Sequence, residues 1–436
     1  MKFPGKHSRA VLEKAERYYA TTTANSRALV ATGDNAIITD PDGLMYIDLH
    51  CGAGVNNLGM NNPHIIEAIR AQMGTGIIHS EHHNAPNPLA VELSELLATT
   101  CPVKKPSKVF LSNSGAEANE AAIKLCEAWK FHMGQFYAGP RYRNKAIYFE
   151  NGFAGRTHGV LSATSSNSAV QRDPFWTHCD QESAIYLPYP TKDNASLLKR
   201  RLHPINLHEV DRLLIELPCQ GEGGIIPADE ETLAYLYNAT QKFGIRWITD
   251  AIQCGMGRCG TLYGPELFPW LESDILTLGK ALGGGIPMGA TVFSAHLDWK
   301  HGEHSNTFGG GPLASRVALT VIGEITRLLA NGAVAHISEM IASFSSSFLS
   351  HPCVTDVRGL GAMWAIELTT PDLRNAFIRI GEEMATAECY GLKLLAAGKK
   401  SVRIMPPLTI EETTLTTALQ QLSLALHEVD AMQSAT

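Results

Sequence analysis

The chain has 436 residues, 44% of them hydrophobic and 18% charged, with a formal net charge of −7. That balance describes a globular protein with a large core, in roughly two or three domains of about 150 residues each. The acidic balance excludes a general nucleic-acid binder, which needs a basic stripe. Nine cysteines without paired spacing suggest neither a zinc site nor a disulfide frame and fit a reducing compartment.

The opening residues Met1 to Lys6 lack the apolar core of a signal peptide. No run approaches the ~18 consecutive apolar residues of a membrane span, so the expected location is the cytoplasm. Ser8 to Tyr19 patterns as a short amphipathic helix. Ala36 to Asp48 reads as a β-hairpin turned by Pro41-Asp42-Gly43. Gly52 to Gly59 is expected to be a loop passing near a ligand, because glycine lets the backbone come close. His79 and His83 have the i, i+4 spacing of a helical metal pair. However, Asn84-Ala85-Pro86-Asn87-Pro88 breaks a helix there, so the stretch is read as a loop at the mouth of a site.

Val109-Phe110-Leu111 reads as a strand running through Ser112-Asn113-Ser114-Gly115-Ala116-Glu117 into a long helix, with Ala118, Ala122, Leu125 and Trp129 on one face. Small residues at a helix start make either a phosphate cradle or an ordinary N-cap. Arg141-Tyr142-Arg143-Asn144-Lys145 reads as a solvated turn before the strand Ala146 to Phe149. That strand ends in a glycine-punctuated turn holding Phe153 and Arg156. The phenylalanine either lies on a flat ring or plugs the core; the arginine either takes a carboxylate or caps a helix. The next strand, Leu213 to Glu216, leads into a second such turn, with Glu222.

The two most telling strands come next. Ile245 to Thr249 delivers Asp250, and Ile275 to Gly279 delivers Lys280 ahead of Gly283-Gly284-Gly285. Ligands of open α/β sheets bind at the carboxyl ends of parallel strands. A lysine that forms a Schiff base and an aspartate under a pyridine nitrogen suit pyridoxal phosphate (PLP). Alone, the same pair also reads as an ion pair tying two strands together. Alternation of strands and helices from about Lys108 to Ala295 implies a mostly parallel, doubly wound sheet. A helical span from Leu313 to about Leu329 then leads into a second α+β region, with strands at 361–368 and 401–407. Residues from about Met432 are expected to be disordered.

Six stretches together resemble the class III aminotransferases: SNSGAEANEAAIK from Ser112, GFAGRTHG from Gly152, QGEGG from Gln220, Asp250-x-x-Gln253, TLGKALGGG from Thr277 and SNTFGG from Ser305. These are fold-type I PLP enzymes that include ornithine, 4-aminobutyrate and lysine ω-aminotransferases. The resemblance runs from about Gly33 to Ile410. It implies an α/β fold with a large cofactor domain over about 61–320. A smaller α+β domain is then built from 321–436, joined by residues 1–60.

It also implies roles. Lys280 forms the Schiff base and carries the proton; Asp250 meets the ring nitrogen and Gln253 the ring 3-hydroxyl. Phe153 lies on the ring face, and Ser114, Gly115 and Ala116 hold the phosphate. Thr307 reaches the phosphate of the neighbouring subunit, in a homodimer or a dimer of dimers. A ping-pong enzyme of this kind takes its amino group from an ω-amino or diamino acid and passes it to 2-oxoglutarate. Arg156 takes the carboxylate remote from the reacting carbon, Arg403 the one beside it, and Val55 lines the substrate side. Glu222 pairs with Arg403 when an ω-amine is bound, because an unpaired buried charge there costs ~3–5 kcal/mol. No metal, nucleic acid or membrane is implied.

The chain departs from the family pattern at five places. Leu217 precedes Pro218 where a glutamate is usual, and Ala251 follows Asp250 where another is usual. Ala154 replaces a bulky residue, Gly311 an asparagine, and Ala85-Pro86 lacks aromatics. These imply a roomier, less polar pocket and leave the amino donor open. A PLP racemase or epimerase is the alternative, disfavoured because it needs no switch of the Glu222–Arg403 kind. A non-catalytic cofactor-holding dimer is disfavoured by Lys280 and Asp250.

Overall fold

Seven short segments build the central sheet: β1 Ser107–Ser112, β2 Lys145–Phe149, β3 Ala184–Leu187, β4 Val210–Glu216, β5 Arg246–Asp250, β6 Ile275–Leu278 and β7 Gly289–Ser294. The computed structural model describes residues 3–20, 26–80, 85–134, 145–178 and 183–434. The strand order is β1-β7-β6-β5-β4-β2-β3. From β6 through β5, β4 and β2 to β3 every pairing is parallel; β7 runs antiparallel to both its neighbours. All seven positions of β4 and all four of β6 are buried. Burial along the whole strand is what a sheet covered on both faces imposes.

Strand register sets which side chains meet. Asp250 of β5 lies opposite Thr277 of β6 on one side and Glu216 of β4 on the other. Three polar side chains therefore come level at one sheet edge. Helix α1, Gly115–Gly134, leaves that edge after β1 and buries Ala118, Ala121, Ala122 and Leu125. Its alanines let it lie close to the sheet.

A four-stranded antiparallel sheet is formed by Val354–Leu360, Met363–Leu368, Ser401–Ile404 and Leu395–Ala397, in that order. Another joins the two ends of the chain. There Thr32–Asp34, Ile37–Thr39 and Met45–Asp48 form an antiparallel ribbon, and Gly391–Lys393 pairs parallel with Met45–Asp48. Gly391 permits this approach, since a Cβ there would meet the Tyr46 ring at 2.7 Å. Helix α2, Pro312–Ala330, buries Val317, Val321, Ile325 and Leu328 at helical spacing in the largest core cluster. Each such side chain contributes about 1.5–3 kcal/mol on burial.

The amino-terminal helix (Lys6–Tyr18) and the hairpin are as expected. Two expectations are corrected. The carboxyl terminus is not disordered from Met432: helix α3 runs over Glu412–Ser434. Leu415, Leu419, Leu422, Leu426 and Val429 are all buried along it. Asp430 accepts from the Cys353 backbone N–H at 3.0 Å and pairs with His351 at 2.7 Å, which pins the last turns. The Gly52 segment opens not as an irregular loop but as a left-handed turn, with φ of 55°, 60°, 57° and 88° from Cys51 to Gly54.

The Arg141–Asn144 turn, His82 and His83 lie outside the described residues. Among the described residues no group of three or more His, Cys, Asp or Glu could hold a metal, and no single helix is long and apolar enough to cross a membrane.

Candidate active site

Asp250 ends β5 with its carboxylate 3% exposed. Two donors meet it: the Asn119 side-chain amide at 2.7 Å and the Ile252 backbone N–H at 2.9 Å. Asn119, from α1, is itself oriented. Its carbonyl accepts from the Thr277 hydroxyl at 2.7 Å, and its amide also donates to the Ala154 carbonyl at 2.9 Å. Burial lifts the Asp250 carboxyl to about 6, against the pull of the Asn119 and Ile252 hydrogen bonds. An electropositive N–H placed against it restores full ionisation. Sequence reasoning missed Asn119, although a polar residue on the buried face of α1 was the signal.

Lys280 comes after β6 and Gly279 and adopts φ 44°, left-handed for a residue with a side chain. Such a backbone costs about 1–2 kcal/mol and persists where surrounding structure holds it, commonly at functional sites. Gly279 eases a close approach, since a Cβ there would lie 3.2 Å from the Gly115 Cα. Desolvation holds the Lys280 amine below the ordinary lysine range, against the charge of Glu222 and with that of Arg403. The result is an amine poised as a nucleophile.

Above Lys280 starts α1. Ser114 Oγ accepts from the Glu117 backbone N–H at 3.1 Å, as in a capping box, while the Glu117 carboxylate accepts from the N–H of Asn113, one residue ahead of the cap, at 2.5 Å. Ser114's hydroxyl accepts in the cap and keeps its own O–H to donate. The N–H groups at Gly115 and Ala116 open the helix, where an anion is favoured.

Glu216 is the residue the sequence reading missed outright. It ends β4 as Asp250 ends β5, and its carboxylate accepts from the backbone N–H groups of Phe153 and Gly221, each at 3.0 Å. Leu217, by contrast, points into the core and is fully buried. The expected loss of polarity at Leu217 is therefore corrected: a neighbouring residue supplies the carboxylate. Burial, and then the charge of Asp250, push Glu216 up to about 8.

The Glu216 shift has a stability consequence. Because folding raises this pKa above the usual glutamate value, the native state holds a proton that the unfolded chain has released. Stability therefore falls as pH rises from about 4.5 to about 8. Glu216→Gln is expected to flatten that part of a melting-temperature profile; an unchanged slope would remove Glu216 as its source.

On the far side, Glu222 and Arg403 form an ion pair at 2.6 Å, with Arg403 2% exposed. Burial raises the Glu222 carboxyl, but the charge and hydrogen bond of Arg403, with the Lys280 charge and the Gln253 hydrogen bond, together outweigh it and hold the group below the usual range. Arg403 also donates to the Ala396 carbonyl, while its Nη1 has no partner among the described residues. Gln253 donates to the Ala53 carbonyl at 3.2 Å and to Glu222 at 3.5 Å; its buried Oε1 has no partner among the described residues.

One cavity of about 240 Å³ gathers these groups: Gly115, Ala116, Phe153, Ala154, Gly155, Arg156, Glu216, Glu222, Asp250, Ile252, Gln253 and Lys280 line it. Eight of the residues singled out from sequence are here, and Arg403 stands behind Glu222. Arg156 is exposed and faces the cavity without a hydrogen-bonded partner among the described residues. Ser114 and Val55 are partly buried and outside the lining, and Thr307 is on the surface. The residues fit PLP by their chemistry. A helix N-terminus suits the phosphate, a buried carboxylate the ring nitrogen, an unsatisfied acceptor the ring hydroxyl, and a depressed lysine the aldehyde.

Comparison with known proteins bears on the family and the fold. Residues 18–426 match the family model described as aminotransferase class-III. The mitochondrial acetylornithine aminotransferase of Alnus glutinosa is 34% identical over 97% of this chain and 89% of its own length. The acetylornithine aminotransferase of Clostridium acetobutylicum is 31% identical over 93% of this chain and 98% of its own. A crystallized ornithine aminotransferase from Toxoplasma gondii, with PLP at partial occupancy in its active site, superposes with a TM-score of 0.84. It is 23% identical and covers 98% of this chain and 96% of its own.

Proposed function

The chain belongs to the class III aminotransferases, PLP-dependent enzymes of fold type I, and from that premise we propose that it moves an amino group from an ω-amino or diamino acid to 2-oxoglutarate in a ping-pong cycle. The observation that carries the substrate reading is the Glu222–Arg403 pair at 2.6 Å, with Arg403 buried and Glu222 partly buried. An ω-amine brings no carboxylate to the reacting carbon, so Arg403 needs an internal partner in that half-reaction. Glutamate and 2-oxoglutarate bring one, and Glu222 must then give way. The remote carboxylate of either substrate meets Arg156. The names of the relatives make acetylornithine the first donor to try.

When bound, PLP supplies an aldehyde that condenses with primary amines and a ring that accepts electron density from the substrate carbon. Asp250 keeps the ring nitrogen protonated, and Asn119 and Ile252 hold its carboxylate in place. Lys280 Nζ takes up the proton from the carbon bearing the amine and gives it up again in the same turnover. Gly115 and Ala116 would hold the phosphate, Gln253 would bond the ring hydroxyl and Phe153 would pack against the ring. Enclosure by Phe153, Ala154 and Ile252 excludes water from the reacting carbon.

The test is a pair of variants read by single-turnover absorbance changes. Arg403→Ala is expected to slow the 2-oxoglutarate half-reaction about 10²-fold or more and the ω-amine half-reaction little. Glu222→Ala is expected to do the reverse, leaving glutamate as good a donor as before. If both variants slow both halves equally, the reading fails, and a donor with a carboxylate on the reacting carbon, or racemisation, takes its place.

The proposed working form is a cytoplasmic homodimer in which Thr307 of each subunit serves its partner's phosphate. The exposure of Thr307 and Phe308, away from their own cavity, supports this. A monomer with full activity by light scattering and assay would overturn it.

A further inference from the structure

Arg358 and Arg403 stand in one row of the small sheet. Arg358 pairs in register with Ala365, and Ala365 with Arg403. Directly opposed residues of neighbouring antiparallel strands share a face, so both guanidinium groups rise on the same side. Both reach the loop that carries Glu222. Arg403 takes the Glu222 carboxylate. Arg358 instead takes the backbone, donating to the Gly224 carbonyl at 2.7 Å and the Ile225 carbonyl at 3.0 Å.

That backbone is strained. Gly224 has φ 122° and Ile225 φ 57°, and a β-branched residue in the left-handed region is a true outlier. Ile225 is fully buried, so its side chain anchors the loop while its carbonyl is bonded by Arg358. On the other flank, the Gly398 N–H donates to the Glu222 carbonyl at 2.7 Å. Arg358 is itself held by Asp356 at 2.7 Å and Glu367 at 2.8 Å. Those two carboxylates balance its charge, so it does not compete with Arg403 for Glu222.

We propose that Arg358 is the positioning residue of the switch: it clamps the strained loop so that Glu222 meets or leaves Arg403 by rotation of its side chain alone. This rests on the reading of Glu222 and Arg403 as a carboxylate switch. Without the clamp the loop relaxes, Glu222 falls away from Arg403, and the enzyme behaves as though Glu222 were missing.

The test measures single-turnover rates of the holoenzyme with two classes of donor: L-glutamate, and the ω-amines acetylornithine, ornithine and 4-aminobutyrate. Arg358→Met is expected to lower the ω-amine rate about tenfold or more and to move the glutamate rate less than about threefold. In the double variant with Glu222→Ala it is expected to add little further loss, since the two act on one interaction. A generally loosened fold would slow both halves alike. Equal slowing, or full additivity with Glu222→Ala, overturns the proposal. If Arg358→Met does not fold, Arg358→Lys, which keeps the charge but cannot bond both carbonyls, decides by the same ratio of rates. If Glu222→Ala itself leaves the ratio unchanged, the switch reading falls and this proposal with it. If only Glu222→Ala shifts the ratio, the proposal alone falls.

Discussion

Lys280→Ala abolishes turnover, with a loss of more than about 10⁴-fold, the upper range for a positioned proton-transfer group alone. Among the described residues no other lysine lines the cavity. The same Nζ is asked both to hold the cofactor and to carry the substrate proton, so its loss removes two functions at once. The fold survives the change, because desolvation already disfavours the charged amine and alanine can occupy the left-handed backbone at that position at modest cost. Rapid-scan absorbance would show cofactor bound without conversion. Borohydride reduction of the unaltered protein would attach the cofactor to the peptide containing Lys280. Attachment at another lysine, or substantial residual turnover, would remove Lys280 from its assigned role.

Asp250→Asn is the second large effect, a fall in kcat of about 10²–10³-fold with cofactor still bound, the range seen when one electrostatic stabiliser is lost. The two side chains have the same shape, but Asn119 and Ile252 donate to different oxygens of Asp250 and an amide offers only one acceptor, so one of those contacts is lost. The larger change for the ring is charge. A buried carboxylate keeps a proton on the ring nitrogen, whereas an amide cannot, and the ring then takes up electrons poorly. The expected signature is a lowered kcat, a shifted cofactor band and a melting temperature lowered by the one lost hydrogen bond. Turnover within a few fold of normal would reduce Asp250 to a strand-edge structural residue.

Much of the cofactor site was legible in the linear sequence. Asp250, Lys280 and the Gly115 helix start each stand at the end of a short apolar run beside glycine or small residues, and those signals are local. Local chemistry also placed the hairpin at Pro41-Asp42-Gly43 and the helix beginning at Pro312. The error at the carboxyl terminus has the same origin. Polar residues around Met432 carry no local signal of order; the distant partners His351 and Cys353 supply it through Asp430.

Other features were beyond any local rule. Glu216 and Leu217 are adjacent, and which of them faces the cavity depends on strand pleat and register, since one step along a strand turns every side chain to the opposite face. Asn119 reaches Asp250 across 131 residues of chain, and Arg403 reaches Glu222 across 181. Sequence by itself determined the class of chemistry through six motifs that together resemble the class III aminotransferases, where spacing alone left Asp250 and Lys280 open to an ion-pair reading. Only the tertiary structure decided which carboxylate lines the pocket, what holds Asp250, and how Arg358 and Arg403 share one face of a sheet. Those depend on register and on contacts between remote segments, and neither is written in the neighbours of any single residue.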